Sequence, residues 1–373
     1  MQNFDEYIIQ GEPSQKEKAQ IWQTAIGLQD VDGLKPSDYL IETARENIEN
    51  KITIGEVQQR IESYYKQPEN RKHIETERTE EADKVSARIT EILSNKTFSF
   101  SPLEYIEIHR RLFTGIYKFA GKIRDYNITK NEWVLKGQSV LYSDFNLIRQ
   151  TLDYDFAQEK QFDYDTVDYL QSIQHIAKFI SGIWQIHAFG EGNTRTTAVF
   201  AIKYLRSFSF DIDNKLFAEH SWYFRNALVR ANFKDLKNNI HATTDYLMRF
   251  FGNLLLNESN TLKNRELLLK WKSEQNFQSA KNEENEISKS NLCTLNCTLK
   301  EHFVLEFLKD NPKATQTEIA AHIKKSERTV KTITINLQQK KLLERQKGKR
   351  NGYWIVKENI DTVNDTVKPQ NET

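Results

Sequence analysis

A chain of 373 residues corresponds to two or three domains at roughly 150 residues each, enough to bury a sizeable core. Apolar residues make up 38% and charged residues 28%, with only 13 Gly and 6 Pro, which excludes a wholly disordered or fibrous chain. The 53 Lys and Arg nearly balance the 52 Asp and Glu, so affinity for a polyanion must come from local clustering and not from the field of the whole chain. No run of about 18 apolar residues offers a spanning helix, which predicts no membrane role. The first thirty residues lack a basic head followed by an apolar run, and only two cysteines are present, so the expectation is a cytoplasmic, reducing location.

In chain order, residues 36 to about 65 and 80 to about 95 repeat apolar positions every three or four residues, as in Val85, Ile89, Ile92 and Leu93. This is the period of amphipathic helices. Ser101-Pro102-Leu103-Glu104 gives an N-cap, a proline at the first helical position and an early acid, opening a helix to about Leu112. Ala120-Gly121-Lys122 breaks it. Arg124 to Tyr142 then carries β-branched and aromatic residues around Lys136-Gly137, which predicts a hairpin. Helical spacing returns from Leu147 to Phe156 and, most strongly, at Val167, Leu170, Ile173, Ile176, Ile180, Ile183 and Trp184, a helix expected to be central and buried. Residues from about 262 to 291 turn polar and read in their later part as a linker, with a small unit following from Thr298 to about Lys357.

The central helix meets His187, and Ala188-Phe189-Gly190-Glu191-Gly192-Asn193-Thr194-Arg195 leads directly into a further apolar-periodic helix through Val199, Phe200 and Leu205. A polar, glycine-containing loop on a helix N-terminus presents unpaired N–H groups and a partial positive charge, and its glycine lets the backbone approach a ligand; this chemistry suits phosphate. Glu191 is a candidate magnesium ligand, because that ion commonly takes one or two carboxylates and completes its shell with phosphate oxygens and water. Arg195 can pair with a phosphate, and a neutral His187 beside it can take a proton from a hydroxyl. The plainer alternative is a helix C-cap followed by an N-cap.

This segment resembles the Fic family motif, H-x-F-x-D/E-G-N-G-R-x-x-R, matched by His187, Phe189, Glu191, Gly192, Asn193 and Arg195. The resemblance extends over residues 76 to 258 and includes Ile106 to Leu112 and Ala120-Gly121-Lys122-Ile123-Arg124. It implies a mainly α fold, a helical core with a β-hairpin flap, and transfer of AMP from ATP with Mg2+ onto a Ser, Thr or Tyr hydroxyl of a target protein. In that scheme His187 deprotonates the hydroxyl, Glu191 holds magnesium, and Gly190, Gly192, Asn193, Thr194 and Arg195 meet the nucleotide phosphates, while Phe189 anchors the loop. Asn232 falls where the family often contacts adenine. Two positions depart from the pattern: Thr194 replaces a glycine, and Ala198 replaces the second arginine, which removes a ligand for the terminal phosphate. Weak turnover, another phosphate-containing donor, AMP removal, or a nucleotide-sensing regulator without catalysis are the alternatives that follow.

The resemblance further implies that the hairpin, with Ile128, Thr129 and Lys130, aligns an extended target segment by edge addition; a hairpin without a partner is the alternative. Asn47 to Thr53 resembles the family's inhibitory helix, with Glu49 and Asn50 at its acidic pair, Arg45 at its Ser/Thr position and Ala198 in place of the usual partner of the glutamate. Glu49 is thus an inhibitory candidate or one acid on a solvated face. Asp32-Gly33 reads as a turn.

Near the C-terminus Thr315-Gln316-Thr317-Glu318 is a capping box, and Ser326 opens a second helix through Val330, Ile333 and Leu337. Residues 342 to 346 and 353 to 356 flank Lys347-Gly348-Lys349-Arg350-Asn351-Gly352 as a wing. Ten Lys and Arg against two Glu between 324 and 350 make this stretch net +8. The unit resembles a small α+β winged-helix domain, with Arg328, Lys331, Thr332 and Asn336 on its second helix and Lys349 and Arg350 on its wing as the expected DNA contacts; docking of a protein or formation of a homodimer is the other use of such a module. A metal site from Cys293, Cys297, His302 and His322 lacks conventional ligand spacing. The expected organisation is an N-terminal helical region over 1 to 75, a catalytic core over 76 to 258, a helix end and linker over 259 to 295, a winged helix over 296 to 360 and a tail over 361 to 373.

Overall fold

The structure is a computed structural model, and it describes residues 4–71, 78–208, 215–269, 297–347 and 352–357. The chain divides into two compact units, one of residues 1–162 with 173–278 and one of residues 163–172 with 279–373. The region upstream of residue 76 therefore belongs to the same unit as the core. Among the described residues the chain is mainly helical with one two-stranded sheet, and no helix is long and apolar enough to cross a membrane.

The first unit begins with α1 (Asp5–Gln10) and α2 (Pro13–Gly27), the latter opened by a reciprocal Glu12–Gln15 capping box and Pro13. A 3-10 turn, Leu28–Asp32, continues from α2 and ends at Gly33 with φ +68°. α3 (Asp38–Ile48) and α4 (Ile54–Lys66) follow, capped by Ser37 and Thr53. Their apolar faces close a core of Trp22, Leu40, Ile48, Val57, Ile61 and Tyr65. The Trp22 indole donates to Asn47 Oδ1 at 3.0 Å, so even this apolar cluster keeps its polar atoms paired.

α5 (Thr79–Ser94) packs on α2 and α4, and α6 (Pro102–Phe113) packs on α5. The Ser101 side chain caps α6 by accepting from the Glu104 amide at 3.1 Å, as the sequence predicts. After α7 (Ile148–Gln161) come α8 (Tyr169–Ile186) and α9 (Asn193–Ser207), joined by the glycine-containing loop. Phe100, Phe156, Phe179, Phe200 and Tyr204 form an aromatic cluster that fixes α9 from the side. Lys203 on α9 donates to Ile92 O in the last turn of α5 at 3.2 Å and to Thr97 O just beyond it at 2.7 Å. α10 (Lys215–Glu219), α11 (Ser221–Asn232) and α12 (Asp245–Leu256) complete this unit.

The expected hairpin between Arg124 and Tyr142 is not a strand pair. Its tip is a 3-10 turn, Trp133–Leu135, closed by the Glu132 amide on Gln138 O and the Gly137 amide on Glu132 O, both at 3.0 Å. Between these limbs no β-ladder forms: the main chains of Ile128 and Thr129 make no backbone hydrogen bond among the described residues, and Glu132 turns into the protein.

In the second unit α13 (Leu299–Asp310), α14 (Gln316–His322) and α15 (Glu327–Gln339) precede an antiparallel pair, β1 (Leu343–Gln346) and β2 (Tyr353–Val356), in register Leu343 with Val356 and Arg345 with Trp354. Thr315 and Ser326 are the N-caps anticipated from sequence.

Candidate functional site

The loop between α8 and α9 is shaped by two backbone demands and one side-chain clamp. His187 has φ +50°, a left-handed conformation that costs a non-glycine residue roughly 1–2 kcal/mol. Arg124 offsets that cost: its Nε donates to His187 O at 2.7 Å, while its remaining donors reach Ile186 O, Tyr126 O and Ser143 O. One guanidinium thus holds the end of α8 and both bases of the flap together. At the far end Gly192 has φ +81°, and a Cβ there would lie 2.4 Å from the Phe113 ring, so glycine is required twice over. Asn193 closes the loop by accepting from the Phe189 amide at 3.0 Å and donating to Phe189 O at 2.7 Å. Its side chain is therefore a clamp within the loop and not a free nucleotide donor.

Thr194 lies inside α9, outside the left-handed positions, and its hydroxyl accepts from the Trp184 indole at 3.0 Å. Replacement of glycine there thus costs the backbone nothing. The first helical bond of α9 runs from the Thr196 amide to Gly192 O at 3.0 Å, and no side chain caps the helix. Among the described residues the amides of Asn193, Thr194 and Arg195 take no partner. An uncapped, buried helix N-terminus carrying partial positive charge is an anion site.

His187 stands at its edge, only 6% exposed, with its ring 4.1 Å from Tyr142 and edge-on to Trp184. Burial first, then the charges of Lys130, Arg124 and Arg225, push its pKa down to about 3. The imidazole is therefore neutral throughout the working pH range, and its Nδ1 is buried without a partner. Behind Tyr142 lies Glu132, 1% exposed, which accepts from the Tyr142 hydroxyl at 3.1 Å and pairs with Arg225 at 2.8 Å. His109 supports the loop from the opposite side. Its Nδ1 accepts from the Gly121 amide at 2.9 Å, so Nε2 carries the proton and donates to Glu191 O at 3.0 Å, with the ring stacked 3.7 Å from Phe189. Burial pushes the His109 pKa down to about 4. Phe189, fully buried, is the loop anchor the sequence anticipates.

Glu191 points outward and pairs with Lys130 of the flap at 2.5 Å. Among the described residues no group of three or more His, Cys, Asp or Glu side chains gathers to hold a metal ion. A metal caged by protein alone does not fit. One outward carboxylate beside an uncapped helix N-terminus fits magnesium that arrives with phosphate oxygens and water.

Arg195 is not where a phosphate contact was expected. It is fully buried, with Nε 2.8 Å from Asp32, Nη2 2.6 Å from Glu81, Nη1 3.1 Å from Gln29 and the guanidinium 4.9 Å from the centre of the Phe113 ring. Tyr117 and Arg78 extend the network through Glu81. Both carboxylates come from elements upstream of the loop, so the sequence pattern around residue 187 could not reveal them. The available signal was the Asp32-Gly33 pair, which does form a turn but also directs Asp32 at Arg195. Ala198 is fully buried.

Glu49 is placed elsewhere: its carboxylate accepts from the Tyr7 hydroxyl at 2.6 Å and pairs with Lys51 at 2.5 Å. It has no contact with the loop. Lys51 and then Tyr7 hold its pKa below the usual carboxylate value. Asn232 donates to Ser181 O and Leu228 O, each at 3.0 Å, which is the helix-end role. In the flap, Ile128 is half-buried and Thr129 exposed, and their main chains make no backbone hydrogen bond among the described residues.

In the second unit Arg328, Lys331, Thr332 and Asn336 are all exposed on one face of α15, together with Ile335. Lys349 and Arg350 lie outside the described residues, as does Cys293. Cys297 is buried, its thiol pKa pushed up to about 12 mainly by burial, and His302 has both ring nitrogens buried without partners.

Residues 99–205, from the approach to α6 through most of α9, match the model described as the Fic/DOC family. No curated protein matches the chain.

Proposed function

We propose that this chain transfers AMP from ATP to a Ser, Thr or Tyr hydroxyl of a target protein. Members of the family often transfer AMP or other phosphodiester-linked groups, which makes a transferase the starting point. The observation that carries the specific reading is the uncapped N-terminus of α9 with neutral His187 on one side and outward Glu191 on the other. A triphosphate laid there would meet the amides of Asn193 to Arg195. The target hydroxyl attacks the α-phosphorus, the bond to the pyrophosphate oxygen breaks, and pyrophosphate leaves. His187 takes the hydroxyl proton; its Nδ1 is sealed, so Nε2 is the nitrogen left to meet the substrate. Bound phosphates would raise the basicity of this imidazole by adding negative charge beside it. Magnesium, when bound at Glu191, supplies charge neutralisation on the phosphates. The unpaired main chain at Ile128 and Thr129 supports alignment of an extended target segment by strand addition.

Arg195, held by Asp32 and Glu81, supports a restrained resting form in which this guanidinium reaches no phosphate until the Asp32 contact opens. The same closure, with Ala198, favours as a second reading a nucleotide-sensing regulator without transfer.

The order of three helices and a strand pair supports a winged-helix reading of the second unit, and the exposed basic face of α15 supports duplex DNA as its partner. Incubation with labelled ATP, Mg2+ and cell extract, comparing the native chain with His187→Ala, tests the catalytic proposal; label on both or on neither contradicts it.

A further inference from the structure

The loop is short of cations. The position of the second motif arginine is Ala198, and Arg195 is ion-paired with Asp32 and Glu81 and donates to Glu81 and Gln29 inside the protein. A triphosphate needs more positive charge than an uncapped helix end supplies, so the question is which other cation reaches this place. Lys130 does. It extends from the flap to within 2.5 Å of Glu191 Oε1, with its side chain 26% exposed, and its charge is among the leading influences on His187 after burial. Its backbone is secured where the flap limbs face each other, the Lys130 amide donating to Ser139 Oγ at 3.1 Å. The other two flap residues present main chain and side chain for a target, whereas the Lys130 ammonium is turned onto the loop.

Resting on the nucleotide-transfer reading above, we infer that Lys130 is the phosphate-binding residue of the flap: it neutralises Glu191 before nucleotide binds, and passes to the outer phosphates when a divalent cation takes that carboxylate. An ammonium suits the exchange, since it is a compact charge with rotatable donors on a flexible stem. The pair with Glu191 is only partly buried, so it is weak enough to be displaced by a doubly charged ion. The ammonium would thus supply from the flap the charge missing at residue 198. Closing of the flap onto a target and completion of the phosphate site would then be coupled, because one segment performs both.

The test uses the full-length chain and Lys130→Met, which keeps the stem and removes the charge. Mn2+ titrated without nucleotide and followed by electron paramagnetic resonance should bind about threefold more tightly to the variant, which has lost a competing cation. Calorimetry in Mg2+ should show ATP weakened roughly tenfold or more and AMP less than about twofold, because only ATP carries the outer phosphates. Lys130→Arg should restore most of the ATP affinity. Unchanged or weaker Mn2+ binding, or equal losses for ATP and AMP, overturns the inference. A native chain that binds Mn2+ but neither nucleotide instead overturns the transfer reading, and with it the phosphate role of Lys130.

Discussion

Asp32→Asn is the perturbation that separates a regulatory contact from a structural one. The Asp32 carboxylate lies 2.8 Å from Arg195 Nε, and two unit charges at that distance attract by about 6 kcal/mol at an effective dielectric constant of 20. Most of that is offset by desolvation, and complete loss of a partner in a buried pair costs about 3–5 kcal/mol. Here Glu81, Gln29 and Tyr117 remain on the guanidinium, and Asp32 is one quarter exposed, so about 1–2 kcal/mol is the reasonable share of this contact. If nucleotide binding must first break the contact, its removal raises ATP affinity by the same free energy, roughly 5- to 30-fold. Thermal stability should meanwhile fall by roughly 2–6 °C. Scanning calorimetry and ATP titration on the same preparations give both numbers. Lower stability with unchanged or weaker ATP binding would refute the reasoning and make Asp32 a packing residue.

Glu49→Gly should leave ATP affinity and transfer unchanged within about twofold, because the carboxylate serves Tyr7 and Lys51 and does not reach the loop; a several-fold rise measured in a labelling assay would place it in the restraint after all. His187 and His109 have folded pKa values of about 3 and about 4, below that of a free imidazole, so the unfolded chain binds more protons as pH falls through about 6.5 and the folded form loses stability on acidification. At pH 5 each contributes a loss of about 2 kcal/mol, and His187→Gln should flatten the dependence of melting temperature on pH between 7 and 5. Arg328→Ala with Lys331→Ala should weaken duplex DNA binding for all sequences and reduce the salt slope by about two, read from mobility shifts at two salt concentrations. Absence of binding by the native chain at low salt would direct attention to a protein partner.

Local patterns carried much of this fold. Ser101-Pro102, Thr315 with Glu318, and Ser326 are caps whose side-chain bonds form within three residues, so they were legible without knowledge of tertiary structure. The glycine and helix start of the loop from His187 to Arg195 were legible for the same reason, being contiguous, whereas Asn193, expected to meet the nucleotide, clamps the loop onto Phe189. The flap was misread as a hairpin because β-branched and aromatic residues signal burial on either kind of extended limb, while the Glu132 contacts to Tyr142 and Arg225 that shape it are long-range. Arg195 was paired with a phosphate from its place beside the loop and from the motif. Its burial depends on Asp32 and Glu81, more than a hundred positions upstream, and no periodicity relates them. Glu49 and Asp32 illustrate the same limit, since both are acids beside a turn-forming residue and only the packing of the first helices decides which one faces the loop.

The central claim is that His187 moves a proton while a nucleotide lies on the N-terminus of α9. It is tested most directly by the rate of AMP transfer from α-labelled ATP in Mg2+, comparing the native chain with His187→Ala after both are shown to fold and to bind ATP equally. The account predicts a loss of about 100-fold or more in the variant with ATP affinity retained. Equal transfer by the two proteins would contradict it.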